Sequence, residues 1–521
     1  MSARPLNLAD IIEAMADAVP DRPAVKTIDR EYTYAEIDER STRLANHLVG
    51  LGVQPGDHVA VHSDNRIEWV DAFYGCLKAR AVPININYKY LRDELAYLYD
   101  NSDSVAAIVA PAFVDAVEEI RTDRLKHVLV LDESYDEALA AASPERQIEG
   151  RSADDVYVVY TGGTTGNPKG VMWRNEDIIK AALNAARYGA PIESVEKLAE
   201  EAAANENPMT IMAAGPMMHG GSQWIMGNAN VSGQTVALYT EHSFDAAKVL
   251  DLTAKAKVVS LAFLGDAMAR PIAEAVLAEP ERWDLSGLMA LSNGAAPLSP
   301  AVRAELYEAF PGKFILDTFG SSEAGASGSH MDTGDGGPVK FGVTDEMEVF
   351  DADMKPAGVG ERGMFARTGP IPLGYYKDET KTAATFREVD GKRWVMPGDF
   401  AQREEDGAIT LLGRGSVCIN TGGEKVHPEE VEAVLKRHPD VFDAVVVGTP
   451  HERWGQQVTA LVEPREDSGV SEEDLVAHCK GLIANYKVPK RIFMVGSVPR
   501  TPVSKVDYPA STQAALDLLD N

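Results

Sequence analysis

The chain has 521 residues, 45% hydrophobic and 25% charged, too long for a single core and suggestive of roughly three or four compact units. Eighty acidic against 50 basic residues leave a formal charge of −30, a field that repels nucleic acid and anionic lipid and argues against both as partners. No stretch approaches the ~18 unbroken apolar residues of a membrane span, and the opening 20 residues lack a basic region followed by an apolar one, so integral membrane association is excluded and a cytoplasmic location is expected.

Apolar periodicity predicts helices over Tyr34–Leu51 and Arg66–Lys78, with short strands at His58–His62, Val105–Ala110 and His127–Leu131. Strands alternating with helices imply an α/β class with a largely parallel sheet covered on both faces. Val156–Tyr160 reads as a further apolar strand. Glu193–Asn207 is polar and rich in Ala and Glu, and reads as an exposed helix or a flexible insertion. Apolar runs recur at Met209–Ala213, Thr235–Leu238 and Val258–Leu261. From Val343–Val349 the rhythm changes to short strands between Gly and Pro, predicting a β-rich subdomain to about residue 412. After Gly413-Arg-Gly-Ser416 comes a compact tail of mixed helix and strand, with Pro428–Arg437 a clear helix. The expected division is therefore 1–412 as a large domain of stacked α/β subdomains plus the β-rich part, 413–416 as the boundary, and 417–521 as a small α+β domain. Within that tail, residues 480–506 carry six bases and no acid. Cys76, Cys418 and Cys479 lie far apart with no CxxC pair, which excludes a disulfide framework and a cysteine-built zinc site.

Three segments invite a phosphate-binding reading. Gly358-Val-Gly-Glu-Arg-Gly363 matches GxGxxG, but a dinucleotide fingerprint needs an apolar strand before it and a helix after it. Here it sits between polar and Gly/Pro-containing segments, so it reads as a turn. Gly162-Gly-Thr-Thr-Gly-Asn-Pro-Lys169-Gly looks like a P-loop at first, yet Pro168 precedes the lysine and Gly170 follows it, which fails GxxxxGK[ST]. Taken on its own chemistry, the same loop follows an apolar strand and combines glycines with hydroxyls. Backbone N–H groups of such a loop form an anion-binding concavity. Thr161, Thr164 and Thr165 add hydroxyl donors, and Lys169 adds a cation.

In that form Tyr160-Thr-Gly-Gly-Thr-Thr-Gly-Asn-Pro-Lys-Gly170 resembles the phosphate loop of the adenylate-forming superfamily, which includes acyl-CoA synthetases, luciferases and peptide-synthetase adenylation domains. Gly162 stands where serine is usual, so one hydroxyl contact is lost while backbone donation by Gly162, Gly163 and Gly166 survives. The remaining motifs follow in the family's order. Pro216-Met-Met-His219-Gly220 resembles the segment lining the acyl pocket, which implies His219 near the carboxylate. Asn293-Gly294-Ala295-Ala296-Pro297 resembles the adenine-binding turn. Asp317-Thr-Phe319-Gly320-Ser-Ser322-Glu323 resembles the YGxTE element, with Phe319 for tyrosine and Ser322 for threonine. The resemblance implies Phe319 stacked on adenine, Ser322 reaching the α-phosphate, Asp317 accepting from the adenine amino group, and Glu323 with Thr165 holding Mg²⁺, a cation suited to oxygen donors. Gly398-Asp399 resembles the TGD element, implying that Asp399 accepts from both ribose hydroxyls, with Arg414 adding a donor. The family hinge carries Asp or Lys where this chain has Ser416. Asn420–Glu432, with Gly422 and Gly423, resembles the segment that faces the active site in the second half-reaction. Pro499–Lys505 resembles the terminal lysine element, with Ser504 in place of glycine.

The fold implied is that of the adenylate-forming enzymes, a large N-terminal adenylation domain and a small mobile C-terminal domain rotating about 413–416. The reaction implied joins a small-molecule carboxylic acid to coenzyme A with ATP and Mg²⁺. Acyl-adenylate and pyrophosphate form first, and the thiol then displaces AMP. Lys505 is the expected bridge between carboxylate and α-phosphate, and the basic stretch 480–506 is expected to line the polyanion-facing side of the small domain. The presumed pocket segments around Gly220, Gly221, Trp224 and Gly265 are rich in Gly and Ala, leaving room for a bulky apolar acid. Trp224 is either a gate or a core anchor. The phrasing is similar to actinobacterial synthetases acting on steroid side-chain or fatty carboxylates, with the steroid type expected first. A stand-alone enzyme loading a carrier protein and a non-catalytic binding paralogue are the rival readings. The oligomeric state is left open, a homodimer included.

Overall fold

All five residues of His58–His62 are buried, as expected of a strand covered on both faces. It lies within a four-stranded sheet in the order Val82–Asn85, His58–His62, Ala106–Val109, His127–Val130, and every neighbouring pair is parallel. The computed structural model describes residues 4–519 except 162–166, 185–189, 295, 297, 335, 415–416, 422–423, 452–454, 467, 481, 484 and 502–504. Helices Tyr34–Gly50 and Ile67–Lys78 pack on each other beside this sheet. The first begins with a capping box, in which Thr33 Oγ1 accepts from the Glu36 N–H at 3.2 Å and the Glu36 carboxylate accepts from the Thr33 N–H at 2.8 Å. Such an N-cap stabilises a helix by about 1 kcal/mol.

A second sheet of eight strands has the order Gly325–Asp332, Phe314–Ser321, Ala290–Asn293, Ser260–Phe263, Thr210–Ala213, Thr235–Leu238, Pro23–Lys26, Glu31–Thr33. Its six central strands are parallel, and an antiparallel strand closes each edge. The polar run expected at 193–207 contains helix Val195–Ala204, whose Val195, Leu198 and Ala202 are buried. It packs on helix Leu8–Ala18, which corrects the expectation of an exposed or loose segment. Three apolar residues at i, i+3 and i+7 suffice to dock one face.

Strands Val156–Thr161, Lys169–Arg174 and Gly374–Tyr375 form a small antiparallel sheet. The predicted β-rich part is a six-stranded sheet from Met347–Phe350 to Ile409–Arg414. The GxGxxG match precedes strand Arg362–Arg367, not a helix. The Gly358 N–H donates to the Glu361 carboxylate at 2.9 Å, so the segment is a turn, as read. After residue 417 a five-stranded sheet, including Gly455–Pro464 and Val441–His451, carries helices Pro428–Leu435, Glu472–Lys480 and Tyr508–Leu519. Among the described residues, the apolar clusters of 419–515 share no member with those before residue 412. No described helix is long and apolar enough to cross a membrane.

Candidate active site

Ligands in open α/β sheets bind outside the carboxyl ends of the strands. Three parallel strands of the large sheet bring Phe263, Asn293 and Asp317 into register at that edge. The Asn293 side chain ties them together, accepting from the Gly265 N–H at 3.0 Å and donating to Asp317 Oδ1 at 3.1 Å. Gly265 has φ +59°, a left-handed turn that glycine adopts without strain and that starts helix Asp266–Ala278. Asp317 was expected to accept from an adenine amino group. It is only 5% exposed, and its second oxygen pairs with Arg303 at 2.8 Å. Those two contacts also tie Asp317 into the floor of the site. Arg303, which also pairs with Asp332 at 2.8 Å, carries no sequence signal of this task. In the adenine-turn segment Gly294 donates to the Phe263 carbonyl at 3.3 Å, and Ala296 donates to the Gly294 carbonyl at 2.8 Å. Ala295 lies outside the described residues.

Beyond Asp317 the chain turns back into an antiparallel strand. A Cβ on Gly320 would stand 2.2 Å from the Gly325 carbonyl oxygen, so this close crossing requires glycine. The Phe319 ring is half-buried and packs against Phe341 and Phe365, with centroids 4.7 and 5.0 Å away. Ser322 accepts at its carbonyl from the Trp173 indole N–H at 3.0 Å. Its hydroxyl lies 3.8 Å from where a Cβ on Gly220 would stand. The hydroxyl element and the acyl-pocket segment thus meet. Glu323 accepts from the Tyr375 hydroxyl at 2.8 Å.

Thr161 ends one strand and pairs with Lys169 on the next. Residues Gly162, Gly163, Thr164, Thr165 and Gly166 lie outside the described residues, as do Ser416, Gly422, Gly423 and Ser504. The Lys169 ammonium was expected to face phosphate. It pairs with Asp378 at 2.5 Å, which holds the Asp378 carboxyl below its usual range, and it stands 5.9 Å from the Tyr375 ring centre. Tyr375 is thus a common neighbour of Lys169 and Glu323. Asp399 and Arg414 face each other as register partners on adjacent antiparallel strands.

His219 is the N-cap of helix Gly220–Val231. Its Nε2 is shielded from solvent and has no hydrogen-bond partner among the described residues. Burial, together with the positive charges of Lys505 and Lys89, pushes its imidazole down to about 3. Lys505 is therefore close enough to act on His219 electrostatically. The Thr501 N–H donates to the Lys505 carbonyl at 2.8 Å, and Arg500 bridges to Val506. Lys89 was missed in the sequence because a lone lysine in a polar segment has no pattern. It lines a cavity of about 40 Å³ together with Tyr88, Ala214, Pro216, His242 and Met268. Gly220, Gly221, Trp224 and Gly265 do not line that cavity. Trp224 packs partly buried against the main core, the anchoring alternative. Of the six bases in 480–506, three pair with acids from elsewhere: Lys487 with Glu430, Arg491 with Glu472 and Arg500 with Asp443.

The AMP-binding enzyme family matches residues 12–376, and its C-terminal domain matches residues 430–505. A 3-oxocholest-4-en-26-oate–CoA ligase of Rhodococcus rhodochrous is 44% identical over 530 aligned positions, covering 96% of this chain and 95% of the relative. A medium/long-chain-fatty-acid–CoA/3-oxocholest-4-en-26-oate–CoA ligase of Mycobacterium tuberculosis is 45% identical over 525, with the same coverage. Among solved structures, ATP-bound MatB from Rhodopseudomonas palustris has a TM-score of 0.84 at 25% identity, covering 98% of this chain and 99% of that one. The anthranilate–CoA ligase AuaEII reaches 0.87 at 24% identity, covering 99% of both chains, and supports the fold alone.

Proposed function

We propose that this chain, which belongs to the AMP-binding enzyme family and is an AMP-forming acyl-CoA synthetase, activates a bulky apolar carboxylic acid, a steroid side-chain carboxylate in the first place and a medium- or long-chain fatty acid in the second. The observation that carries the substrate class is the 44–45% identity, over nearly the whole chain, to ligases whose names specify those acids. Residues 1–412 form the adenylation domain, 413–416 the hinge, and 417–521 a mobile cap. A cytoplasmic enzyme, monomeric or homodimeric, fits this reading.

In the first step a carboxylate oxygen attacks the α-phosphorus of ATP, and the bond to the β-phosphate bridge breaks as pyrophosphate leaves. In the second the coenzyme A thiol gives up its proton and its sulfur attacks the acyl carbon, and AMP departs with the electron pair of the broken acyl–phosphate anhydride bond. Both reactants of the first step are anions, so catalysis rests on positioning and charge stabilisation. Lys505 supplies the cation, and its proximity to His219 supports that role. With its imidazole held neutral to about pH 3, His219 adds no charge at neutral pH. In its Nε2–H tautomer it offers a hydrogen bond to the acid's carboxylate. Ser322 reaches the α-phosphate, and Asp399 with Arg414 holds the ribose.

Glu323 fits a place beside Mg²⁺. It is a half-buried carboxylate oriented by Tyr375, and the described residues contain no cluster of three or more metal-binding side chains. A hard cation sharing one carboxylate with phosphate and water oxygens matches such a site. When bound, the ion offsets phosphate charge. The cavity of about 40 Å³, lined by Lys89, Tyr88 and His242 among others, is roughly a tenth of what a drug-sized ligand occupies, so it does not hold a steroid acid as it stands.

Pyrophosphate release across a panel of cholestenoic, long-chain, medium-chain and short acids tests the reading. The cholestenoic acid should be preferred, and preference for acetate would defeat the bulky-acid assignment. Formation of free acyl-CoA separates this enzyme from one that loads a carrier protein.

A further inference from the structure

The face between cap and large domain is crossed by buried charges. Helix Asp266–Ala278 starts directly after Gly265, and its Asp266 uses one oxygen to accept from the Ser299 N–H at 2.8 Å. The other oxygen pairs with Lys436 of the cap at 3.3 Å. Lys436 also pairs with Asp443 at 3.1 Å. Asp443 in turn pairs with Arg500. The side chains of Asp266, Lys436 and Asp443 are each no more than 10% exposed. Arg500 is the residue that bridges to Val506.

Behind Asp266 the contacts continue inward. The Gly265 N–H donates to Asn293, and Asn293 donates to Asp317. Polar contacts on two adjacent residues, Gly265 and Asp266, therefore connect the floor at Asp317 with Lys436, Asp443 and Arg500 of the cap. A second strut lies alongside. Arg270, with a side chain 3% exposed, pairs with Glu305 at 3.2 Å and donates to the Phe442 carbonyl of the cap. Arg465 of the cap pairs with Glu305 at 3.2 Å and with Glu274 at 3.1 Å. Arg270 and Arg465 thus clasp Glu305 from opposite domains.

We propose that Lys436 is a positioning residue for the first half-reaction, bridging Asp266 to Asp443 so that the cap seats in the orientation that delivers Lys505 to the reacting groups. The proposal rests on the assignment of Lys505 to that half-reaction. Lys436 touches no reactant; it acts through Asp443 and Arg500. Removing its ammonium leaves the Asp266 carboxylate buried without its cation and Asp443 with Arg500 alone, an unfavourable arrangement. The cap escapes it by leaving this orientation.

The test compares Lys436→Met, Lys436→Arg, Asp266→Asn and, as a control, Lys505→Ala in the full-length protein. Two assays are run on each: acid-dependent exchange of pyrophosphate into ATP, and reaction of supplied acyl-adenylate with coenzyme A. Lys436→Met should lower exchange roughly 10–100-fold, the population change expected when a buried bridge is broken. Its KM for ATP should be unchanged, and its use of supplied adenylate should stay within about twofold. Lys436→Arg should restore most of the exchange. Asp266→Asn, nearly isosteric and on the other side of the interface, should act in the same direction and keep the idea testable if Lys436→Met does not fold. Their combined effect should be less than the product of the single effects, because one bridge is lost in both. Unchanged exchange in Lys436→Met and Asp266→Asn would overturn the proposal, as would equal loss of both half-reactions. Full exchange in Lys505→Ala would instead remove the assignment on which it rests.

Discussion

Acid should destabilise this protein through His219, and the size of the effect follows from the site. The imidazole is held at about 3 in the folded chain, against a value of 6.5 in its absence, by burial first and by Lys505 and Lys89 after it. A group whose folded value is depressed favours the fold while it stays unprotonated. That contribution is fully present above pH 6.5 and is lost as pH falls toward 3. At pH 5 the unfolded chain already takes up the proton, and at 1.36 kcal/mol per pH unit the loss is about 2 kcal/mol. The experiment is urea denaturation of the parent and of His219→Gln at pH 7 and pH 5. The parent should lose about 2 kcal/mol more than the variant between the two, with the urea slope unchanged. Equal losses would show that His219 protonates freely, and that neither its burial nor its proximity to Lys505 is as described. The same reasoning predicts that kcat/KM shows no limb near pH 6.5 attributable to His219.

Two further outcomes are expected. Lys505→Ala should lower adenylation by ~10²–10³, the range for removing one charge-stabilising group, while supplied acyl-adenylate still reacts with coenzyme A; stopped-flow release of pyrophosphate and of AMP separates the two. Glu432→Gln should stabilise the protein at alkaline pH. Burial raises the Glu432 carboxyl from 4.5 to about 8, so its favourable contribution is complete below pH 4.5 and disappears as pH rises through 8. Melting temperatures of parent and variant should therefore agree at pH 5 and diverge at pH 9, where the variant melts higher.

Local pattern accounts for much of the architecture. Tyr34–Gly50 is legible because its burial has the helical period, and His58–His62 because a strand covered on both faces is a short apolar run. The polar run at 193–207 misled because an Ala/Glu-rich helix needs only three apolar positions to dock. Sheet membership was less legible. Strands Pro23–Lys26 and Glu31–Thr33 join a sheet whose other strands lie between 210 and 332, and no local signal spans that distance. In the site, the order of the motifs was readable, whereas the partners of their side chains were not. Asp317 and Lys169 look like ligand groups in one dimension, but their oxygen and nitrogen atoms meet Arg303 and Asp378 across the fold. The basic stretch 480–506 likewise ceases to be a free cationic face once Glu430, Asp443 and Glu472 are folded against it.

The same distinction explains why charge, not apolar surface, holds the cap at Lys436. A large hydrophobic interface stabilises in proportion to its area, and a cap bound that way leaves its seat slowly. A buried ion pair differs, because its Coulomb attraction is largely offset by desolvation, while its geometry tolerates little displacement. Lys436 between Asp266 and Asp443 thus specifies orientation strongly at small net stability. Under the proposed function, a cap that presents Lys505 for one step and Asn420–Glu432 for the next needs that combination. It also explains how a chain of net charge −30 admits two anions to one cleft. Lys505 and Lys89 both act on His219 electrostatically, whereas Lys436 and Arg500, on the proposal above, serve to aim Lys505.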